Sequence, residues 1–235
     1  VNNGRKYDII NIDDPKKPFR VGVYELDTPG HSIHDVWIED GIAYSSNWAD
    51  GVVAVDIGAK KHKESDRSKS QFNPLLAKAG QGSPSNPVKL AEMKDPTGRN
   101  HAAFPYLNES TGQFYIIGGD ENFPWGVQAT KNKPSNPRGG YHFMNFTDPN
   151  NPREDAIYEV PEAGSHNLWV YGDILLAGNY QGGLRIVDIS GELLGDIYKQ
   201  GREIAHFLSY HKDGRIPNAP MVWGAQPYKD YIFFS

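Results

Sequence analysis

The chain has 235 residues, of which 25 are glycine, 17 are proline and none is cysteine; aromatics make up 12% and the formal net charge is -5. These numbers exclude disulfides and thiolate metal sites, and an acidic chain lacks the basic surface that nucleic-acid binding needs. No apolar run is long enough for a membrane-spanning helix. Many glycines and prolines with a good supply of aromatics suit short strands, tight turns and a sizeable core. The polar opening Val1-Asn2-Asn3-Gly4-Arg5 does not read as a signal peptide, which leaves export open.

Residues 7–13 read as a strand, Asp14-Pro15-Lys16-Lys17-Pro18 as a turn, and residues 20–26 as an outer strand. His34-Asp35-Val36-Trp37-Ile38 then begins a pattern. A turn at Asp40-Gly41 separates it from a second apolar run at 42–46, since both turn residues tolerate positive φ. Residues 51–57 form a third strand. Residues 59–87 break the pattern with mixed charge and a Gly/Ser/Pro/Asn-rich end, and read as a surface insertion. Residues 88–93 restore a fourth strand.

The pattern recurs twice more. His101-Ala102-Ala103-Phe104-Pro105-Tyr106 is followed by a turn through 109–112, a strand at 113–117, a polar insertion at 120–138, a strand at 139–146 and a closing strand at 156–160. Ser165-His166-Asn167-Leu168-Trp169-Val170-Tyr171 leads through a Gly172-Asp173 turn to a strand at 174–178, and from Gly182-Gly183 to a strand ending at Asp188. Residues 191–205 carry Leu193, Leu194, Ile197 and Tyr198 at helical spacing, which predicts a short helix before a fourth strand at 206–210. Residues 223–235 start a fourth unit and stop at its second strand. The glycine pairs at 118–119, 139–140 and 182–183 read as hairpin turns.

The histidines set the period: His34, His101 and His166 follow one another at nearly equal intervals, and Trp223 takes the same place in the last, shorter unit. Without the insertions, each unit approaches the roughly 40–50 residues of a four-stranded propeller blade. The predicted fold class is therefore all-β: a β-propeller of four-stranded antiparallel blades over residues 1–235, with three near-complete blades and partial blades at both ends. The N-terminus would supply third and fourth strands, the C-terminus first and second strands. The expectation is a piece of a seven-bladed propeller; the alternative is a closed four-bladed ring.

Residues 51–56, Gly183-Leu184-Arg185-Ile186-Val187-Asp188-Ile189, the Asp-Pro-Asn-Asn-Pro turn at 148–152 and Ala219-Pro220-Met221-Val222-Trp223-Gly224-Ala225-Gln226-Pro227 resemble the units of the LVIVD-repeat family, a bacterial β-propeller family. The resemblance spans nearly the whole chain outside 59–87. It implies a propeller and a periplasmic or extracellular home, and implies no activity.

His34, His101 and His166 each head a first strand, the strand that lines a propeller's central channel. Three converging imidazoles can hold one zinc or copper ion, with Asp35 or the Asp120-Glu121 pair as oxygen ligands. The competing expectation is that each histidine bonds backbone at a repeated turn. Gly118-Gly119-Asp120-Glu121-Asn122-Phe123-Pro124-Trp125-Gly126 reads as a solvated loop with Trp125 packed beneath it. Asp56, Asp148 and Asp188 read as turn caps, and Trp37, Trp169 and Trp223 as packing between blades. Phosphate-loop, nucleophile-elbow and zincin motifs are all missing. The leading functional expectation is an exported binding or scaffold protein for a protein, glycan or small ligand, with no catalytic activity. The alternative is a metal-dependent enzyme at the histidines, by fold-level analogy with selenium-binding propellers.

Overall fold

The structure is a computed structural model and describes residues 4–61, 63, 72–122, 139–161, 163–214, 217 and 220–235. It is an all-β fold of successive small sheets. The first pairs β1 (Lys6–Asn11) with β2 (Phe19–Glu25). The second is a four-stranded meander of β3 (Asp35–Glu39), β4 (Ile42–Ser46), β5 (Val52–Asp56) and β6 (Val88–Met93). The third repeats it with β7 (Asn100–Asn108), β8 (Gln113–Asp120), β9 (Tyr141–Asn145) and β10 (Arg153–Tyr158). The fourth comprises β11 (Leu168–Tyr171), β12 (Ile174–Gly178) and β13 (Leu184–Asp188); after β14 (Gly195–Asp196), which leaves to pair parallel with β10, it is completed by β15 (Glu203–Phe207). β16 (Ala225–Tyr228) and β17 (Tyr231–Phe234) form a final hairpin. Among the described residues the sheets do not close into a ring.

Local chemistry accounts for the meanders. Asp40 and Gly41 turn β3 into β4 with φ of 50° and 76°, which matches the twist of the paired strands. β4, β5 and β9 are buried at every residue, so they show no in/out alternation. Both faces are covered because each sheet packs on the next. Ile42 and Tyr44 of β4 pack toward Phe114, Ile116 and Met144 of the third sheet, while Ala43 joins Tyr7 and Tyr24 of the first. Tyr115 and Ile117 of β8 face the other way, toward Leu168, Leu175 and Val187 of the fourth sheet. Each such buried side chain contributes about 1.5–3 kcal/mol.

One irregularity marks the repeat. A bulge leaves one residue unpaired near the middle of the outer strand in four sheets: Val21 in β2, Leu90 in β6, Asp155 in β10 and Ile204 in β15. β2 thus shares this bulge with β6, β10 and β15 of the later units.

Three expectations need correction. Residues 191–205 are not a helix. Gly191, Gly195 and Gly201 take φ of 65°, 66° and 74°, outside the helical region. The segment instead supplies β14, a turn and the start of β15. The fourth strand accordingly begins at 203 instead of 206. The insertion at 59–87 lies only partly on the surface. A short helix α1 (Pro74–Lys78), capped by the Asn73 side chain at the amide of Leu75 (2.9 Å), buries Leu75 and Leu76 against the second sheet's core. Gly118 and Gly119 are not a hairpin turn but the inner residues of β8, where a side chain on Gly119 would come within 3.0 Å of the His166 carbonyl oxygen.

Candidate metal centre

β3 packs against β7, β7 against β11 and β11 against β16, so the first strands of successive units lie side by side. Their leading residues come together at one end. The His34 amide donates to the Ser46 carbonyl (2.8 Å), the His166 amide to Gly178 (2.9 Å) and the Trp223 amide to Ser235 (2.8 Å). The same backbone bond thus sets the same residue position three times. His101 sits where the β7–β8 register slips between Asn100 and Ala102. Gly119 and Gly178 leave room for the next unit's leading residue; a Cβ on Gly178 would lie 2.7 Å from the Trp223 carbonyl.

The result is a row of rings. His34 and His101 have centroids 4.2 Å apart, and His101 and His166 4.0 Å apart. Trp48 closes one end, 4.6 Å from His34, and Trp223 the other, 5.3 Å from His166. Glu121 lies beside the row. Its carboxylate oxygens are 3.8 Å from His101 Nε2 and 3.9 Å from His166 Nε2, and the Tyr180 hydroxyl donates to Oε1 at 3.0 Å. One ligand atom each from His34, His101 and Glu121 lies within 4.8 Å of the others. His166 stays outside that set.

Burial disfavours the charged ring at His101 and His166. Burial, with His166 and His34 alongside, pushes the His101 pKa down to about 2. Burial also lowers His166, against the opposing pull of the Trp223 carbonyl and Glu121. His166 Nδ1 donates to that carbonyl at 2.8 Å. This bond fixes the tautomer and leaves Nε2 as a lone pair on the Glu121 side. His101 Nδ1 is buried with no hydrogen-bond partner among the described residues. A neutral His101, and a His166 whose Nε2 lone pair lies on the side of the Glu121 carboxylate, are metal-ligand chemistry.

The predicted site residues divide. His34, His101, His166 and Glu121 come together. Asp35 does not join them: it is exposed, and its carboxylate accepts from the Val36 amide. Asp120 is fully buried at the end of β8, bonded to Thr97 and His142 and not to the row. The solvated-loop expectation for 118–126 is thus overturned at 118–120, while Trp125 falls outside the described residues. The turn-cap reading of the aspartates agrees with the structure. Asp56 accepts five backbone amides, Asp148 that of Asn150 and Asp188 that of Ser190. Trp37 packs between sheets, with ring centroids 4.5 Å from Phe104 and 5.0 Å from Trp169.

Glu121 precedes Asn122, which bridges Ser165 as Trp48 bridges Asn100 and Tyr180 bridges Val222. Glu121 therefore occupies the place of Asn47 and Asn179 in the neighbouring units. Those two asparagines are buried, and their side chains bond local backbone carbonyls. An acid where the neighbouring units carry Asn47 and Asn179 is the sequence signal that would separate Glu121 from Asp120, two residues otherwise read from the sequence only as a pair.

Beside the row a cleft of about 480 Å³ opens between the first strands, lined by Asp35, Trp37, Phe104, Asn167, Trp169 and Gln226. Among the described residues no helix is long and apolar enough to cross a membrane. No protein-family model matches the chain, and the search of curated proteins returned no match.

Proposed function

We propose that this chain is a metal-binding β-propeller protein in which His34, His101 and Glu121 hold one transition-metal ion, zinc or copper, at the mouth of the central cleft. The observation that carries this reading is the convergence of three ligand atoms within 4.8 Å at a point where the fold repeats a backbone contact and changes its side chains. Three protein ligands leave a coordination position open, the arrangement of sites that bind or activate a small molecule. The aromatic walls of the cleft at Trp37, Phe104 and Trp169 suit a small ligand with apolar surface. The propeller architecture is supported by the recurring bulge, the face-to-face packing and the resemblance of the units to LVIVD repeats. Export to the periplasm or beyond rests on that resemblance alone.

Elemental analysis of the purified chain tests the reading. One zinc or copper per chain is expected at the row, and His101→Ala should remove that one equivalent. A wild-type protein that takes up neither ion when supplied with it would overturn the metal centre and return the chain to a scaffold role.

A further inference from the structure

A second group of ligating side chains lies inside the third sheet, separate from the histidine row. Asp95, Asp120 and His142 are respectively 7%, 0% and 1% exposed, and one ligand atom from each lies within 4.8 Å of the others. They come from three places: the loop after β6, the end of β8 and the middle of β9.

The hydrogen bonds around this group leave one acceptor over. Asp95 Oδ1 accepts from the amides of Thr97 (2.7 Å) and Gly98 (2.9 Å). The Thr97 hydroxyl lies 2.7 Å from Asp95 Oδ1 and 2.8 Å from Asp120 Oδ1, one proton for two carboxylate oxygens. Asp95 Oδ2 is buried with no hydrogen-bond partner among the described residues. Asp56 is the internal comparison. It is also buried, and both of its oxygens are filled by the amides of Gly58, Ala59, Gly80, Gln81 and Gly82. The fold satisfies a buried carboxylate with amides where it needs only that, and at Asp95 it stops halfway.

The imidazole is oriented for the same point. Glu154 Oε1 lies 2.5 Å from His142 Nδ1, so Nδ1 carries the hydrogen and Nε2 faces Asp120. A carboxylate holding the far nitrogen of a ligating histidine is a recurring support in metal sites. The Nε2 to Asp120 Oδ2 separation is 3.3 Å, and the Gly140 amide reaches the same oxygen also at 3.3 Å. That is long for a charge-assisted hydrogen bond, which runs about 2.7–2.9 Å. It matches the edge between two ligands that each bind one ion at about 2.1 Å, which is roughly 3.0–3.4 Å at octahedral or tetrahedral angles.

We infer that Asp95 Oδ2, Asp120 Oδ2 and His142 Nε2 bind a structural first-row divalent cation, with Glu154 as the positioning residue behind His142. Two carboxylates and one imidazole suit manganese, iron(II) or zinc better than calcium, which takes oxygen ligands alone. Bound there, the ion ties the loop after β6 to β8 and β9.

The test uses the full chain with His101→Ala, so that the histidine row does not contribute, stripped with EDTA and titrated with Mn²⁺ alone. Free Mn²⁺ is read by its electron paramagnetic resonance signal, and Tm is followed in parallel. One Mn²⁺ per chain and a higher Tm are expected. Asp95→Asn should weaken binding at least about 100-fold, and Glu154→Gln about 10- to 100-fold. No stoichiometric Mn²⁺ uptake, or full affinity in Asp95→Asn, would overturn the site. Should Asp95→Asn not fold, Glu154→Gln decides, because Glu154 is partly exposed and an unchanged affinity there overturns the proposal.

Discussion

His101 and His142 belong to one sheet, with β8 between their strands, and both are buried. Their protonation runs in opposite directions. Burial acts on both by disfavouring the charged ring. Around His101 the neighbours are His34 and His166, which add to that effect, and its pKa falls to about 2. Around His142 the hydrogen bonds to Asp120 and Glu154, with Asp95 nearby, overcome burial and lift its pKa to about 10. Successive strand residues point to opposite sides, so Asp120 turns into the sheet toward His142 while Glu121 turns out toward the histidine row. One dipeptide at the end of β8 thus serves two clusters of opposite character. In the first, His101 is a neutral base. In the second, a charged imidazole offsets buried carboxylates, and the cation inferred there would take the place of the Nε2 proton.

The largest expected effect comes from breaking the second cluster. His142→Leu in metal-free protein leaves Asp120 and Glu154 without their cationic partner, and breaking a buried pair in this way costs about 3–5 kcal/mol. His101→Phe keeps the stack between His34 and His166 and removes no charge, so its cost should stay below about 1.5 kcal/mol, as for shape-conserving core changes. Denaturant unfolding of the two variants side by side measures the difference. Equal losses would show that the two histidines are held by packing alone.

A smaller effect, and a sharper one, is the dependence on pH. The folded-state pKa of His142 is raised above the unfolded value of about 6.5, so its contribution is fully present below pH 6.5 and is lost as the pH rises through about 10. The folded-state pKa of His101 is depressed, so folding with a neutral ring loses stability as the pH falls below about 6.5, and continues to lose it toward pH 2. Each group contributes a slope of up to about 1.4 kcal/mol per pH unit in its own window. Urea unfolding in EDTA from pH 4 to 10 should show the acid slope reduced in His101→Phe, with the part due to His166 remaining, and the alkaline slope reduced in His142→Leu.

Much of this architecture was legible in residue order. β6 runs over the residues expected, and the histidine spacing located the row, because turn chemistry and recurring leading residues are local signals. The second cluster was not legible. Asp95, Asp120, His142 and Glu154 are far apart in the chain, and only the sheet's pairing brings them together. His142 sits within Tyr141-His142-Phe143-Met144-Asn145, which reads as an apolar strand, although a histidine inside such a run is itself a sign of a buried polar partner. α1 was hidden by the charged segment before it, yet Asn73-Pro74-Leu75-Leu76-Ala77-Lys78 carries an N-cap and a proline at the first helical position. At 191–205 the apolar spacing misled, since Leu193 is buried from irregular chain and Ile197 from a turn, and not from one helical face.

The smallest expected change in stability separates site from scaffold most cleanly. Glu121 is partly exposed, and among the described residues the Tyr180 hydroxyl donates to it, a hydrogen bond that an amide oxygen accepts as well. Glu121→Gln preserves that contact and the shape of the side chain, so the unfolding free energy should move by no more than about 0.5 kcal/mol. Its effect on a metal would be far greater, because the substitution removes the negative charge and the anionic ligand together while leaving the histidines in their repeated positions. Asp120, one residue earlier, is hydrogen-bonded on both oxygens and fully buried. Asp120→Asn should therefore cost stability in the metal-free protein and affinity at the Asp95–His142 site alone, whereas Glu121→Gln costs affinity at the histidine row. Calorimetric titration of both variants with Zn²⁺, paired with their unfolding curves, checks this. If Glu121→Gln bound zinc as tightly as the wild type, the row would be a stack of packed rings with an acid beside it, and its chemistry would have to lie in the cleft below.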